Sequence, residues 1–177
     1  METRVEVINM VSKLGDKDGL VRREARLTLE KIGQKSTVYL LMGLRSSNYT
    51  VRWEVLKALK AIRDPLATAK LISLLDDKSF EIRWLAAEGL IQLGEGVVPS
   101  VLRELVNKHA SQYFRESVHH ILRVIRKKCC LSKDVVNVMH AIWSLDNGLN
   151  VKSMAKKAYD TTSGSTQLAD RQEVQYA

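Results

Sequence analysis

By residue type and spacing, Glu116, His119 and His120 come closest to a metal chemistry. A carboxylate and an imidazole three positions apart share a helix face, as in carboxylate-bridged metal bundles. That design needs a second such pair and further carboxylates, and the chain offers one pair only. His119 falls beside the apolar stripe of its helix and His120 on the other side, so the two do not readily share one ion. His109 and His140 stand alone. The neighbouring thiols Cys129 and Cys130 form no Cys-x-x-Cys motif, and adjacent cysteines do not readily reach disulfide geometry. Two reduced cysteines at a helix end are the expectation. Walker A, GxGxxG, HExxH and GxSxG strings are all missing from the sequence. No cofactor and no metal site are therefore expected, and an enzyme is not favoured.

The elements that position these residues are helices, because the chain repeats itself. Segments 16–32, 46–62, 77–93 and 109–125 align without internal gaps, at offsets of 30, 31 and 32 residues. An apolar residue opens each alignment (Val21, Val51, Ile82, Phe114), and an arginine follows it (Arg22, Arg52, Arg83, Arg115). Further apolar or small columns stand at Ala25/Val55/Ala86/Val118, Thr28/Ala58/Gly89/Ile121, Leu29/Leu59/Leu90/Leu122 and Ile32/Ile62/Leu93/Ile125. Their spacing is one stripe of a 3.6-residue helix. Shorter amphipathic runs at 37–44, 66–75 and 97–106 lie between the blocks, and 1–14 precedes the first. Pro65 and Pro99 sit where a helix begins, Gly33 and Gly94 where one ends. Each unit is expected to be helix A, tight turn, helix B.

A helical pair with Asp-x-x-x-x-Val/Ile-Arg at its turn, as in Asp16–Arg22 and Asp77–Arg83, resembles the HEAT repeat. The period of about 31 residues and the string Ile82-Arg83-Trp84-Leu85-Ala86-Ala87-Glu88-Gly89-Leu90 resemble its short form, seen in phycobilisome-lyase-type repeat proteins. The classical period is about 40–47 residues, so only the short form fits. The resemblance covers 1–128 and departs where Ser46 and His109 replace the turn aspartate. It implies an all-α fold: a right-handed, armadillo-like α-solenoid (superhelix) of about four to five HEAT-like helical hairpins. The repeats are expected at 1–33, 34–64, 65–95 and 96–128. Residues 129–160 are expected to form a degenerate capping pair, with Ser132 as N-cap of a helix ending near Asn147 and Gly148, and a shorter run over 151–159. From Thr161 to the end, 161–177, few large apolar residues remain, and a flexible tail is expected. The resemblance also implies that Arg22, Arg52, Arg83 and Arg115, with Asp16 and Asp77, form a structural turn ladder. In it each arginine bonds the turn aspartate and carbonyls of the neighbouring repeat.

A solenoid of this kind displays the free face of its B helices on the concave side. The columns there read Arg23/Trp53/Trp84/Glu116, Leu27/Lys57/Glu88/His120 and Glu30/Lys60/Ile91/Arg123. Half-exposed Trp53 and Trp84 beside Lys57, Lys60, His120 and Arg123 suit a protein-binding surface, since Trp and Arg lead interface hot spots. Trp at this position also packs between repeat layers, and both roles stay open. The function expected is a non-catalytic scaffold or adaptor whose concave face takes a protein partner. Nucleic acid is the alternative partner, because HEAT-like alkylpurine glycosylases grip duplex DNA on a basic concave face. Here Arg22, Arg23, Arg26, Lys57, Lys60, Arg63 and the Arg123, Arg126, Lys127, Lys128 cluster are interspersed with Glu24, Glu30, Glu54, Glu88 and Glu116, more acid than such a groove is expected to carry. A bilin lyase or metal-dependent enzyme is less favoured. The HEAT-like deoxyhypusine hydroxylases hold iron with His-Glu pairs directly after the Val-Arg. The corresponding positions here are Arg23-Glu24, Trp53-Glu54, Trp84-Leu85 and Glu116-Ser117.

Composition sets the outer bounds. With 45% hydrophobic and 27% charged residues, the 177-residue chain can bury a core. Two Pro and nine Gly argue against a sandwich or barrel, which uses many turns. The net charge of +8 tolerates acidic partners. No window approaches the roughly 18 apolar residues of a membrane helix, and the charged start carries no signal-peptide core. A cytoplasmic protein without a membrane partner is expected.

Overall fold

A side chain caps the start of every B helix. Asp18 Oδ1 accepts the Leu20 N–H at 2.8 Å, Asn48 Oδ1 the Thr50 N–H at 2.9 Å, Ser79 Oγ the Ile82 N–H at 3.4 Å and Ser111 Oγ the Phe114 N–H at 3.1 Å. These caps form one column, three residues ahead of the opening apolar residue, and satisfy donors that a helix start leaves orphaned. In the computed structural model, which describes residues 2–107, 111–143 and 149–173, they open α2 (Gly19–Ile32), α4 (Tyr49–Ile62), α6 (Phe80–Leu93) and α8 (Gln112–Arg126). The A helices are α1 (Glu2–Lys13), α3 (Thr37–Gly43), α5 (Thr68–Ser73) and α7 (Val98–Asn107). Short 3₁₀ turns lead into α3, α5 and α7. Two further helices follow, α9 (Lys133–Ala141) and α10 (Leu149–Glu173). No strand occurs among the described residues.

The chain divides into two units, Met1–Leu93 and Gly94–Ala177. In the first, the hairpins α1–α2, α3–α4 and α5–α6 stack as an α-solenoid, α2 on α4 and α4 on α6, with α1 against α3. The repeated stripe is what they bury. Ala25, Val55 and Ala86, with Leu29, Leu59 and Leu90, are at most 2% exposed. Each such leucine contributes about 1.5–3 kcal/mol by leaving water. The last column is looser, Ile32, Ile62 and Leu93 being half-buried where the helices end. Gly89 has a packing role: a Cβ there would stand 3.0 Å from Leu71 Cδ1 of α5.

In the second unit, α7 and α8 form the fourth hairpin, with Val101, Leu102 and Leu105 buried on one and Phe114, Val118, Ile121, Leu122 and Ile125 on the other. The closing pair is stacked in the reverse sense. Its first helix, α9, packs on the B helix α8, and its second, α10, returns over the A helix α7. Small buried residues on α10, Ala155 and Ala158, permit that approach, and Lys157 Nζ lies 3.1 Å from Asp134 Oδ1 of α9.

Ser132 caps α9 as the sequence suggests, its Oγ accepting the Val135 N–H at 3.4 Å. The run expected over 151–159 is longer than expected: α10 passes through Thr161, and its backbone is helical to Glu173. The hydroxyls that made this stretch read as tail turn back on the helix, Thr161 Oγ1 donating to the Ala158 carbonyl at 2.9 Å and Thr162 Oγ1 to the same carbonyl at 2.9 Å. Asn147, Gly148, His109 and the last tail residues, 174–177, lie outside the described residues. Among the described residues, no single helix is long and apolar enough to cross a membrane.

Candidate partner-binding face

Opposite the buried stripe, α2, α4 and α6 turn a polar face outward. Trp53 and Trp84 share a column there, yet each indole has its own partner. Trp53 is half-buried and stacks on Tyr49 of its own helix, ring centroids 6.1 Å apart at 26°. Trp84 is 43% exposed. Lys60 reaches it from α4, with Nζ 5.5 Å from the ring centroid, a cation–π contact, and 3.8 Å from Glu88 Oε2.

Beneath this surface runs an ion-pair chain. Arg26 Nη1 lies 2.5 Å from Glu30 Oε1, and Arg26 Nε donates to Glu54 Oε2 at 3.0 Å, crossing from α2 to α4. Lys57 Nζ stands 3.1 Å from both Glu54 carboxylate oxygens. Glu54 is only 7% exposed, so its charge is tolerated because two cations hydrogen-bond it. In the sequence Glu54 reads as one more surface acid among Glu24, Glu30, Glu88 and Glu116.

A cleft of about 380 Å³ opens beside this chain. Arg26, Lys57, Lys60, Arg63, Glu30 and Gln92 supply its polar lining, and Ala61 and Leu85 its apolar part. Arg63 ends α4 in the left-handed conformation, φ 57° and ψ 39°. For a residue with a Cβ that costs on the order of 1–2 kcal/mol. In the sequence Arg63 reads as one more basic residue, although it follows Ile62 as Gly33 follows Ile32 and Gly94 follows Leu93.

The turn arginines bond differently from the expected ladder. Arg22 Nη1 donates to the Asp16 and Lys17 carbonyls at 2.7 and 3.0 Å, Arg52 Nη1 to those of Ser46 and Ser47 at 2.9 and 3.1 Å, and Arg83 Nη1 to those of Asp77 and Lys78 at 2.8 and 3.1 Å. The acceptors belong to each arginine's own turn and are backbone carbonyls. The Asp16 and Asp77 carboxylates instead accept the Asp18 and Ser79 N–H groups, both at 2.8 Å, closing the turn two residues on. Ser46 does the same through Oγ, at 3.1 Å from the Asn48 N. That explains why serine substitutes there: the column needs a side-chain acceptor, and charge is not required. Residues 108–110, which precede the Arg115 helix, lie outside the described residues.

His120 and Arg123 lie on α8, in the second unit, half-buried and exposed respectively. Their neighbours of metal-like spacing are engaged elsewhere. Gln112 Nε2 donates to Glu116 Oε1 at 2.9 Å, and His119 meets the Trp143 ring edge-on, centroids 5.3 Å apart. Partial burial, then the charges of Arg123, His120 and His140, hold His119 below the usual imidazole range. Among the described residues, no three His, Cys, Asp or Glu side chains gather as a metal-binding set.

Among known families, HEAT repeats match residues 37–123, from the start of α3 to Arg123 of α8. No curated protein matches the chain. The capped hairpins, the arginine-closed turns and the buried repeat stripe agree with that match, and the chain is a HEAT-like repeat protein.

Proposed function

We propose that the protein is a non-catalytic scaffold or adaptor that takes a protein partner on the B-helix face of its first unit. Trp84 is the central contact, Lys60 holds it, and Lys57 and Trp53 support the surrounding surface. His120 and Arg123 offer a like surface on α8. HEAT-type solenoids use extended faces of stacked helices for recognition. The observation that carries the reading is Trp84 itself, a large apolar ring 43% exposed yet restrained by Lys60. An indole held in place loses little freedom on binding and brings much apolar area to an interface. Nucleic acid is the less favoured partner, because Arg26, Lys57 and Lys60 already face Glu30, Glu54 and Glu88. Two free thiols suit a reducing compartment such as the cytoplasm.

Affinity capture from native lysate, comparing the wild type with Trp84→Ala and checking the fold by circular dichroism, tests this. Specific proteins recovered by the wild type and lost by the variant support it. Equal recovery removes Trp84 from the account. A random duplex bound at low salt and released steeply as salt rises would replace the protein partner with DNA.

A further inference from the structure

Helices α2, α4 and α6 each end on a residue of positive φ: 71° at Gly33, 57° at Arg63 and 81° at Gly94. Glycine enters that region freely, whereas a side chain enters it against steric resistance. The three do not share one conformation: Gly33 and Gly94 have ψ of −142° and −158°, a region confined to glycine, whereas Arg63, at ψ 39°, is in the left-handed helical region. A residue with a Cβ held in the left-handed region stores backbone strain, and that strain points to what its side chain does. The Arg63 side chain lines the cleft of about 380 Å³ together with Arg26, Lys57 and Lys60. Those three cations already face carboxylates. Among the described residues, no carboxylate lies within ion-pair distance of Arg63.

We propose that this cleft seats a carboxylate of an acidic peptide segment on the protein partner, with Arg63 as the anchoring cation and Lys60 as the second. A guanidinium meets a carboxylate through two parallel N–H···O bonds, a geometry that lysine lacks. Lys60 Nζ stands 3.8 Å from Glu88, beyond hydrogen-bond length, and its three N–H donors let it meet an incoming anion while it stays over the Trp84 ring. A peptide fits better than a nucleic acid backbone. Glu30 and Glu88 would repel an unbroken row of phosphates, while a peptide can set one or two carboxylates on Arg63 and Lys60 and an apolar side chain on Ala61. The inference rests on the partner-binding reading above and narrows it to the partner's charge.

The probe is a short fluorescein-labelled peptide of alternating Glu and Leu, titrated with the protein and followed by fluorescence anisotropy. The wild type is expected to bind it, more weakly as salt rises. Arg63→Gly should weaken binding roughly tenfold or more, the size expected for a lost charge-assisted bond. It should melt no lower than the wild type, since glycine relieves the strained φ. Arg63→Lys should fall between the two. No binding of the acidic peptide, equal binding of its Lys-for-Glu counterpart, or tighter binding of a random duplex would overturn the proposal. So would an Arg63→Gly variant that binds like the wild type or melts markedly lower. Lysate capture separates the two claims: partners lost by Trp84→Ala but kept by Arg63→Gly sink this inference alone, and partners kept by both sink it and remove Trp84 from the partner-binding reading as well.

Discussion

Arg26 on α2 and Glu54 on α4 meet at 3.0 Å, Nε to Oε2, and join two successive repeats through a carboxylate that is 7% exposed. The two residues are not equivalent. Removing Arg26 leaves the Glu54 charge in place with Lys57 as its remaining cation. Removing the Glu54 carboxylate leaves Arg26 with Glu30, and Lys57 with its side chain 33% exposed to water. A buried charge stripped of a partner is the costlier outcome. Arg26→Met is therefore expected to destabilise the fold by about 1–3 kcal/mol in urea unfolding, and Glu54→Leu by less. The opposite order, or no loss in Arg26→Met, would show that the pair behaves as an exposed one.

The turn arginines lead to a second expectation. Arg52 ties down two carbonyls of its turn, and Ser46 closes that turn from the other side. Arg52→Ala should cost about 1–2 kcal/mol, as a charge-assisted bond partly open to solvent. Ser46→Ala should cost about 1 kcal/mol, the size of a lost cap. Ser46→Asp should be close to neutral, because Asp16 and Asp77 do the same work in the sister turns. Denaturant midpoints of the three variants decide it. A Ser46→Asp variant as weak as Ser46→Ala would mean that the turns are not equivalent.

The stripe of Ala25, Leu29, Val55, Leu59, Ala86 and Leu90 was legible because helix periodicity and repeat period coincide in it, each column confirming the others. Partners drawn from the backbone were not. A carbonyl exists at every residue, so nothing in the residue types marks those of Ser46 and Ser47 as the acceptors of Arg52. The burial of Glu54 depends on Arg26, 28 positions earlier, and no local pattern carries a contact at that distance. Arg63 hid for another reason. It stands where Gly33 and Gly94 end the neighbouring B helices, but no residue type marks its left-handed backbone, and its side chain enters the cleft from the end of a helix instead of its face. The stacking order of α9 and α10 was hidden as well, since both helices are amphipathic whichever layer they join.

His119 provides a pH test. Its folded pKa is lowered first by partial burial, then by Arg123, His120 and His140. Above the ordinary imidazole value of about 6.5, His119 is neutral in both folded and unfolded chains, and it adds no pH dependence. As pH falls below that value, the unfolded chain takes up its proton first, so the folded state loses stability until its own lower pKa is passed. His119→Phe keeps a ring against Trp143 and abolishes the titration. The variant's unfolding free energy should therefore fall less than the wild type's between pH 7 and pH 5, with the carboxylate contribution common to both cancelling in the difference. Parallel curves would remove His119 as a source of acid sensitivity.

The adjacent cysteines should differ sharply in reactivity. Cys129 Sγ donates to the Ile125 carbonyl at 3.4 Å, and partial burial, followed by the Glu95 carboxylate, pushes its thiol pKa up. Cys130 is exposed, lining a cleft of about 580 Å³ with Pro99, Leu131 and Val135. The thiolate is the nucleophile, so a raised pKa and reduced access both slow Cys129. With a maleimide near neutral pH, the protein should label in two phases, the fast one vanishing in Cys130→Ser and surviving in Cys129→Ser. Raising the pH should speed the slow phase as the Cys129 thiolate is populated. Labelling of Cys130→Ser at the wild-type fast rate would show that neither burial nor Glu95 protects Cys129.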